Sequence, residues 1–306
     1  LKVFTKIASK KQISWKRAPF PYTAIHIYHL YSPMNEILQK LYPYSRDQAI
    51  NDILSFYDQE ESVVVNFIYF ANIVSHSLFD QTTKTEKLKE YKKILLKSDF
   101  LLPDGIALQI FYYVAHFMGK IQSPTSWLQN LNGTDFIPYL LQNIKKKYGN
   151  QKLNILIYGT KAEYLEKVVE KLKYQGYNII YAQDGYSDFD REKAEAAMNE
   201  YQDTINVLIQ GRSTPEIPLQ ELRASRNFQK IQQKKLIVLN TAWLLDFIAG
   251  VQKRAPKLRR DLKLERLYRF ISDPKRNFKK ILNSLKLFPY LIKYAMLPQK
   301  QKKESK

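Results

Sequence analysis

Apolar and polar positions come in short blocks along this chain, and the blocks switch repeatedly between two periods. Val63 to Ile68 is a β-branched, apolar run, which predicts a buried strand. Leu88, Tyr91, Ile94 and Leu95 recur at helical spacing and predict a helix over 84–97. Phe100 to Leu102 reads as a short strand ending at Pro103-Asp104-Gly105, and Ile106 to Met118 as an apolar helix. The pattern continues with a helix over 134–148 and a strand over 153–158 closed by Gly159. Thr160 then opens a helix, with Glu163 at capping-box spacing. Strands over 177–182, 205–209 and 236–240 alternate with helices over 191–201, 219–233 and 242–249. Before these, only Gln48 to Tyr57 has a helical period; the rest of 1–60 is rich in Tyr, Pro and Lys.

Strands alternating with helices predict an α/β, Rossmann-like fold: a parallel sheet with helices on both faces. Ligands of such sheets lie beyond the carboxyl ends of the strands, so the turns there are the places to look for chemistry. The expected organisation is an N-terminal extension and first helix over 1–60, a catalytic core over 61–250, and a basic helical appendage over 251–306.

Composition sharpens this picture at one end of the chain. The 306 residues are 45% hydrophobic and 25% charged, which suits a globular core. Cysteine is absent, excluding disulfides, thiolate metal sites and a cysteine nucleophile. The net charge is +20, and residues 251–306 carry 18 Lys or Arg against 4 Asp or Glu. Most of the charge therefore sits in the appendage, which favours one polyanionic target there. The longest apolar run, Val63 to Val74, is broken by Asn66 and Asn72 and is too short to span a bilayer. The basic N-terminal stretch lacks the apolar block of a signal peptide, so the chain is expected on the cytoplasmic face.

Four constellations carry candidate chemistry. Asp104-Gly105 follows a strand and opens a helix; it is either a general base at the ligand edge or a helix cap. Gly159-Thr160 resembles a phosphate-binding turn but has one glycine where a dinucleotide fingerprint needs three, so a structural cap is at least as good an account. Asp188 and Asp190 are a metal-type pair or capping residues before a helix, with capping the simpler account. His26 and His29 share a ligand-like spacing that nothing nearby completes, and His76 and His116 read as ordinary partly buried side chains. The appendage holds six arginines within 23 residues, Arg254, Arg259, Arg260, Arg266, Arg269 and Arg276. Arginine is the residue for gripping phosphate through paired hydrogen bonds. Phe278 to Leu297 then sets Phe278, Ile281, Leu282, Leu285, Phe288, Leu291 and Ile292 on one side and lysines on another. This is either an interfacial membrane helix, kinked at Pro289, or a core helix with a solvated lysine face.

Taken in order, these pieces resemble the WecG/TagA/CpsF glycosyltransferases, glycosyltransferase family 26. The resemblance is carried over roughly 45–297 by Pro103-Asp104-Gly105-Ile106, Gly133-Thr134-Asp135, the turn at Gly159, and Gly185-Tyr186. Asp246-Phe247-x-Ala249-Gly250 with Arg254-Ala255-Pro256, Leu264 to Arg269, and Asp273-Pro274-x-Arg276 complete it. The resemblance implies an inverting, metal-independent enzyme without cofactor. It would move an N-acetylmannosamine-like sugar from a UDP-sugar to a polyprenyl-diphosphate-linked acceptor at an anionic membrane surface. It makes Asp104 the catalytic base. It puts Asn66, Gly105, Gly133, Asp135, Gly159, Gly185, Tyr186, Gly211 and Thr214 on the donor side, and the six arginines on the acceptor diphosphate and membrane.

The chain departs from the family pattern at named positions. Val64 stands where a Thr precedes Asn66, Leu131 aligns near an expected Arg, and Ile217-Pro218 replaces a Gln-Glu pair. These departures leave open a catalytically silent binder of lipid-linked sugars. From a different class, the charge and 22 tyrosines would also suit a nucleic-acid-binding protein. No nucleic-acid motif accompanies them, so no nucleic-acid partner is expected. A homo-oligomer is compatible with all three readings.

Overall fold

The computed structural model describes residues 33–59, 62–80, 85–201, 203–211, 235–241, 243–251 and 286–296. The predicted helix over 219–233, Thr214, Ile217, Pro218, His26, His29 and the six appendage arginines lie outside these residues. The described residues belong to one compact unit within Tyr31–Lys306.

Two helices, α1 (Pro33–Lys40) and α2 (Arg46–Gln59), lead into β1 (Ser62–Tyr69), which passes directly into α3 (Phe70–Ser75). Next come α4 (Glu86–Lys97), β2 (Phe100–Asp104), α5 (Ile106–Phe117) and α6 (Gly133–Tyr148). β3 (Leu153–Gly159), α7 (Ala162–Tyr174), β4 (Asn178–Gln183), α8 (Arg191–Asn199), β5 (Ile205–Gly211), β6 (Leu236–Asn240) and α9 (Leu244–Ala249) follow. At the C-terminal end α10 (Leu287–Tyr290) runs into π-helical turns over Leu291–Met296.

The six strands form one sheet in the order β2-β1-β6-β5-β3-β4, every neighbouring pair parallel. β3, β5 and β6 are buried along their whole length. That is why they read in the sequence as unbroken apolar runs rather than alternations. One face packs Leu156, Tyr158, Leu208, Leu236 and Val238 against Ala194 and Met198 of α8. A larger cluster joins Leu38 of α1, Phe70 and Ile73 of α3, Tyr91 of α4, and Leu108 and Phe111 of α5. The predicted Rossmann-like architecture is therefore present.

Several local readings change. The Val63–Val74 run divides at Phe70 into strand and helix, a boundary invisible where both elements are buried. α1 falls in the stretch without a clear period. Pro103 lies inside β2, which tolerates it as the terminal strand of the sheet. Thr160 caps no helix: Lys161 takes the N-cap position of α7, without a side-chain bond, and Thr160 has φ +54°. Asp190 is the N-cap of α8, accepting from the Lys193 N–H at 3.1 Å, so the capping reading of that pair holds.

The apolar stripe predicted over Phe278–Leu297 splits where it can be followed. Leu287, Leu291, Tyr294 and Ala295 are buried in the α3–α5 cluster, whereas Phe288, Ile292 and Met296 are exposed. The i→i+4 ladder gives way to π-helical turns immediately after the turn holding Pro289, whose ring and missing N–H disfavour a regular helix. Tyr294 donates a short hydrogen bond to Asp80, and Lys293 pairs with the same carboxylate at 3.3 Å. These contacts fasten the segment beside α3.

Candidate active site

The strand order creates a crevice at the carboxyl edge. From β3 the chain goes outward to β4, and from β5 it goes the other way to β6, so neighbouring β3 and β5 send their connections in opposite directions. Ligands of open α/β sheets favour such a switch point. β3 ends there in Gly159 and β5 in Gly211, which are partners in register. A Cβ on Gly159 would stand 1.9 Å from the Gly211 carbonyl oxygen. A Cβ on Gly185, from the loop after β4, would stand 2.9 Å from Gly159 Cα. Three glycines from separate segments thus form a floor of bare backbone. Sequence shows only one of these glycines at the β3 turn; the other two come from elsewhere in the chain.

Hydrogen bonds stitch this floor together. The Thr160 N–H donates to the Gly211 carbonyl at 2.7 Å and the Gly185 N–H to the Thr160 carbonyl at 2.9 Å. The Thr160 hydroxyl donates to Asp246 Oδ1 of α9 at 2.8 Å, with both residues buried. Asp246 is therefore the anchor for a backbone conformation that β-branched residues avoid. Beside it, Asp184 accepts from the Tyr186 and Ser187 N–H groups and from the Ser187 hydroxyl. Burial works to raise its pKa, but these bonds outweigh it and hold the carboxyl below the ordinary range. The exposed Tyr186 is held at the rim by the same turn.

Asp104 ends β2, in register with Tyr69 of β1, and Gly105 follows at φ +88°. The Gly105 N–H donates to Asn130 Oδ1 at 2.9 Å, and the Leu131 N–H to the Pro103 carbonyl at 2.8 Å. The loop before α6 is thereby clamped onto the Asp104 turn. Leu131 is buried, so an arginine there would have to displace that packing. Asn132 caps α6, accepting from the Asp135 N–H at 3.0 Å and donating to the Asp135 carboxylate at 3.0 Å. That reciprocal pair gives Asp135 a capping role in this structure.

Contacts run unbroken from the Asp104 turn to the glycine floor. A Cβ on Gly133 would lie 3.3 Å from both Phe67 and the Thr241 hydroxyl. The Thr241 N–H in turn donates to the Gln210 carbonyl at 2.7 Å. One layer down, Asn240 Nδ2 donates to Asn66 Oδ1 at 2.6 Å, and both amides are buried. Asn66 Nδ2 and Asn240 Oδ1 are left without a partner among the described residues. Either amide orientation leaves one buried donor and one buried acceptor unsatisfied among the described residues. Asn240 was missed from sequence because its partner lies 174 positions away. Val64 lies two residues before Asn66 and packs, partly buried, against the apolar cluster under α8.

The structure thus gathers Asn66, Asp104, Gly105, Gly133, Asp135, Gly159, Gly185, Tyr186 and Gly211 along one edge. Among the described residues, no three His, Asp or Glu side chains cluster in a way that could hold a metal.

The family model for the WecG/TagA/CpsF glycosyl transferases matches residues 37–302. The chain belongs to this family. Its relatives include the N-acetylglucosaminyldiphosphoundecaprenol N-acetyl-β-D-mannosaminyltransferase of Bacillus subtilis. That protein is 29% identical over 72% of this chain and 76% of its own length. A protein of the same name from Bacillus spizizenii is 27% identical over 61% of this chain and 65% of its own. This family member is a glycosyltransferase. Asp104, Gly105, Gly133, Asp135 and Asp246 all contribute to the carboxyl edge of its sheet.

Proposed function

We propose that this glycosyltransferase is an inverting enzyme of cell-surface polysaccharide assembly. It moves an N-acetylmannosamine-like sugar from a UDP-sugar to a polyprenyl-diphosphate-linked sugar at the cytoplasmic face of a membrane. The observation that carries this reading is the position of Asp104. Its carboxylate ends a strand on the same edge as the Gly159–Gly185–Gly211 floor, joined to it through Gly133 and Thr241. The activity borne by the Bacillus relatives' names supports the lipid-linked acceptor.

In this mechanism the bare backbone at β3 and β5 admits the UDP diphosphate close to the sheet. The first turn of α7 lacks a side-chain cap, and its N–H groups suit an anion. Asn66 and Asn240 read polar groups of the sugar through their open donor and acceptor. Asp104 takes the proton from the acceptor hydroxyl as that oxygen attacks the anomeric carbon. The bond to UDP breaks on the opposite face, and its electron pair leaves with the diphosphate. Arg254, Arg259, Arg260, Arg266, Arg269 and Arg276 grip the acceptor diphosphate and the anionic surface.

Two measurements test this. A cognate UDP-sugar should raise the melting temperature, because a ligand bound to the native state stabilises it. Asp104→Asn keeps the size of the side chain but cannot take a proton. Turnover should fall about 10²–10⁴-fold, the usual worth of general base catalysis, with donor-induced stabilisation retained. Unchanged turnover in Asp104→Asn would remove this residue from the mechanism. A chain that binds donor but transfers nothing to any lipid-linked acceptor would favour the silent binder that Val64, Ile217 and Pro218 leave open.

A further inference from the structure

In a chain with 49 Lys or Arg residues, the described segments that meet around Asp104 hold none. Residues 62–75, 98–119, 121–144, 236–241 and 243–251 lack both types. Arg46, the first residue of α2, is brought to them from outside. Its backbone N–H donates to Gln129 Oε1 at 2.6 Å. The next residue, Asn130, accepts from the Gly105 N–H at 2.9 Å, so two hydrogen bonds and one peptide link join Arg46 to the Asp104 turn. Packing sets the same level independently. Phe56, near the end of α2, stacks edge-on with Phe100, the first residue of β2, at 6.0 Å. Back from Phe56 to Arg46, α2 rises about 15 Å. From Phe100 to Asp104, β2 rises about 13 Å. The start of α2 therefore stands level with the end of β2. Alternation along β2 puts Asp104 on the same face as Phe100, the face that α2 covers. Arg46 is exposed, and its guanidinium lies over the Tyr139 ring of α6, 4.0 Å from the centroid. Among the described residues no carboxylate pairs with it. The ring holds the guanidinium in place without neutralising it.

We propose that Arg46 pairs with the diphosphate of the acceptor and so holds the acceptor sugar over Asp104. The proposal deepens, and rests on, the reading of the acceptor as a diphosphate-linked sugar. It adds a cation of the core itself to the appendage arginines. Lateral order separates this diphosphate from that of the donor. The glycine floor lies at β3 and β5, and β5 is three strands from β2, about 14 Å at the usual spacing. A donor seated on the floor reaches Asp104 from the β1 side. The opposite side is left to the acceptor, because β2 is the terminal strand of the sheet. Leu41 bridges to Leu101 on that outer side, and the chain runs on from there to Arg46. In a diphosphate-linked sugar the charge lies one ring away from the attacking hydroxyl. A cation level with the base, on its outer side, meets that charge. Guanidinium grips it through paired hydrogen bonds.

The test uses the full chain and calorimetric titration with three probes. They are a water-soluble N-acetylglucosaminyl diphosphate bearing a short prenyl chain, the same sugar joined to that chain by a neutral ether, and UDP. Arg46→Gln should bind the diphosphate probe about 10–100-fold more weakly, the worth of a hydrogen bond to a charged group. Its affinity for UDP and for the neutral probe should equal that of the wild type. Arg46→Lys should recover only part of the loss, because an ammonium cannot make the paired contact. In turnover, the acceptor KM should rise in Arg46→Gln with the donor KM unchanged. The melting temperature serves as the folding control, since Arg46 is exposed and its bond to Gln129 is made by the backbone. Wild-type affinity of Arg46→Gln for the diphosphate probe would overturn the proposal, as would a wild type that does not bind this probe. An equal loss of UDP binding would also overturn it, by assigning Arg46 to the donor. A loss of the same size on the neutral probe would do so too, by removing the charge from the account. Weakened binding of the diphosphate probe in a chain that glycosylates no acceptor would sink the functional reading and leave the Arg46 subsite standing.

Discussion

Replacing Thr160 with Val isolates the bond that holds the turn after β3. The two side chains have nearly the same shape, so packing is retained and only the hydroxyl is lost. In the wild type that hydroxyl donates to Asp246 Oδ1 at 2.8 Å, with Thr160 fully buried and Asp246 only 3% exposed. A hydrogen bond to a charged, buried acceptor is worth about 1.5–3 kcal/mol. At roughly 2–4 °C per kcal/mol for a chain of this size, Thr160→Val should melt about 3–12 °C below wild type. Asp246→Asn keeps an acceptor oxygen facing Thr160 and should cost less. Introducing both changes should cost less than their sum, because each removes the same contact. The functional readout is the KM for donor, which should rise in Thr160→Val because the turn beside Gly159 loses its anchor. Melting curves within about 1 °C of wild type for Thr160→Val, a shift well below the bond's worth, would refute the account of Asp246 as the anchor of this turn.

Gly159→Ala should be far more damaging than Gly149→Ala, judged by melting temperature and soluble yield. The added carbon would stand 1.9 Å from the Gly211 carbonyl, while Gly149 has open space and only its φ of +96° to resist substitution. Burial holds the pKa of His76 below its ordinary value, so the unfolded chain binds a proton more readily than the native one. Stability should therefore fall as pH drops through the usual histidine range, and His76→Gln should flatten that part of a denaturation-versus-pH profile. Among the six appendage arginines, those that clamp diphosphate should lose turnover as Lys variants, because an ammonium cannot reproduce the paired contact. Those that only attract the membrane should tolerate Lys in both turnover and vesicle binding.

How much of this was legible in sequence depended on whether the cause was local. β3, β5 and β6 were readable because burial on both faces makes each a continuous apolar run. The Asp104-Gly105 turn was readable because a strand, a carboxylate and a glycine stand next to one another. Thr160 was misread because its spacing to Glu163 suits a cap, while its φ of +54° is set by Gly211 and Asp246, which sequence proximity cannot reveal. The three-glycine floor is built from residues 159, 185 and 211, and only strand register brings them together. The C-terminal stripe looked one-sided because an apolar residue aimed at α5 and one aimed at solvent are the same letters. The π-helical turns after Pro289 then rotate the pattern away from a simple helical wheel.

Under the proposed function, in which the glycine floor receives the donor, that floor has a consequence for how donor choice can change in this protein. A surface made of main chain has no side chain to exchange, and at Gly159 even a methyl group would collide with the opposite strand. Point mutation can break this part of the site but cannot retune it. Selection, natural or in the laboratory, is left with Tyr186 at the rim and the buried Asn66–Asn240 pair one layer down. A library confined to those three positions should therefore yield variants with altered sugar preference. One spread over Gly159, Gly185 and Gly211 should yield only inactive or misfolded chains.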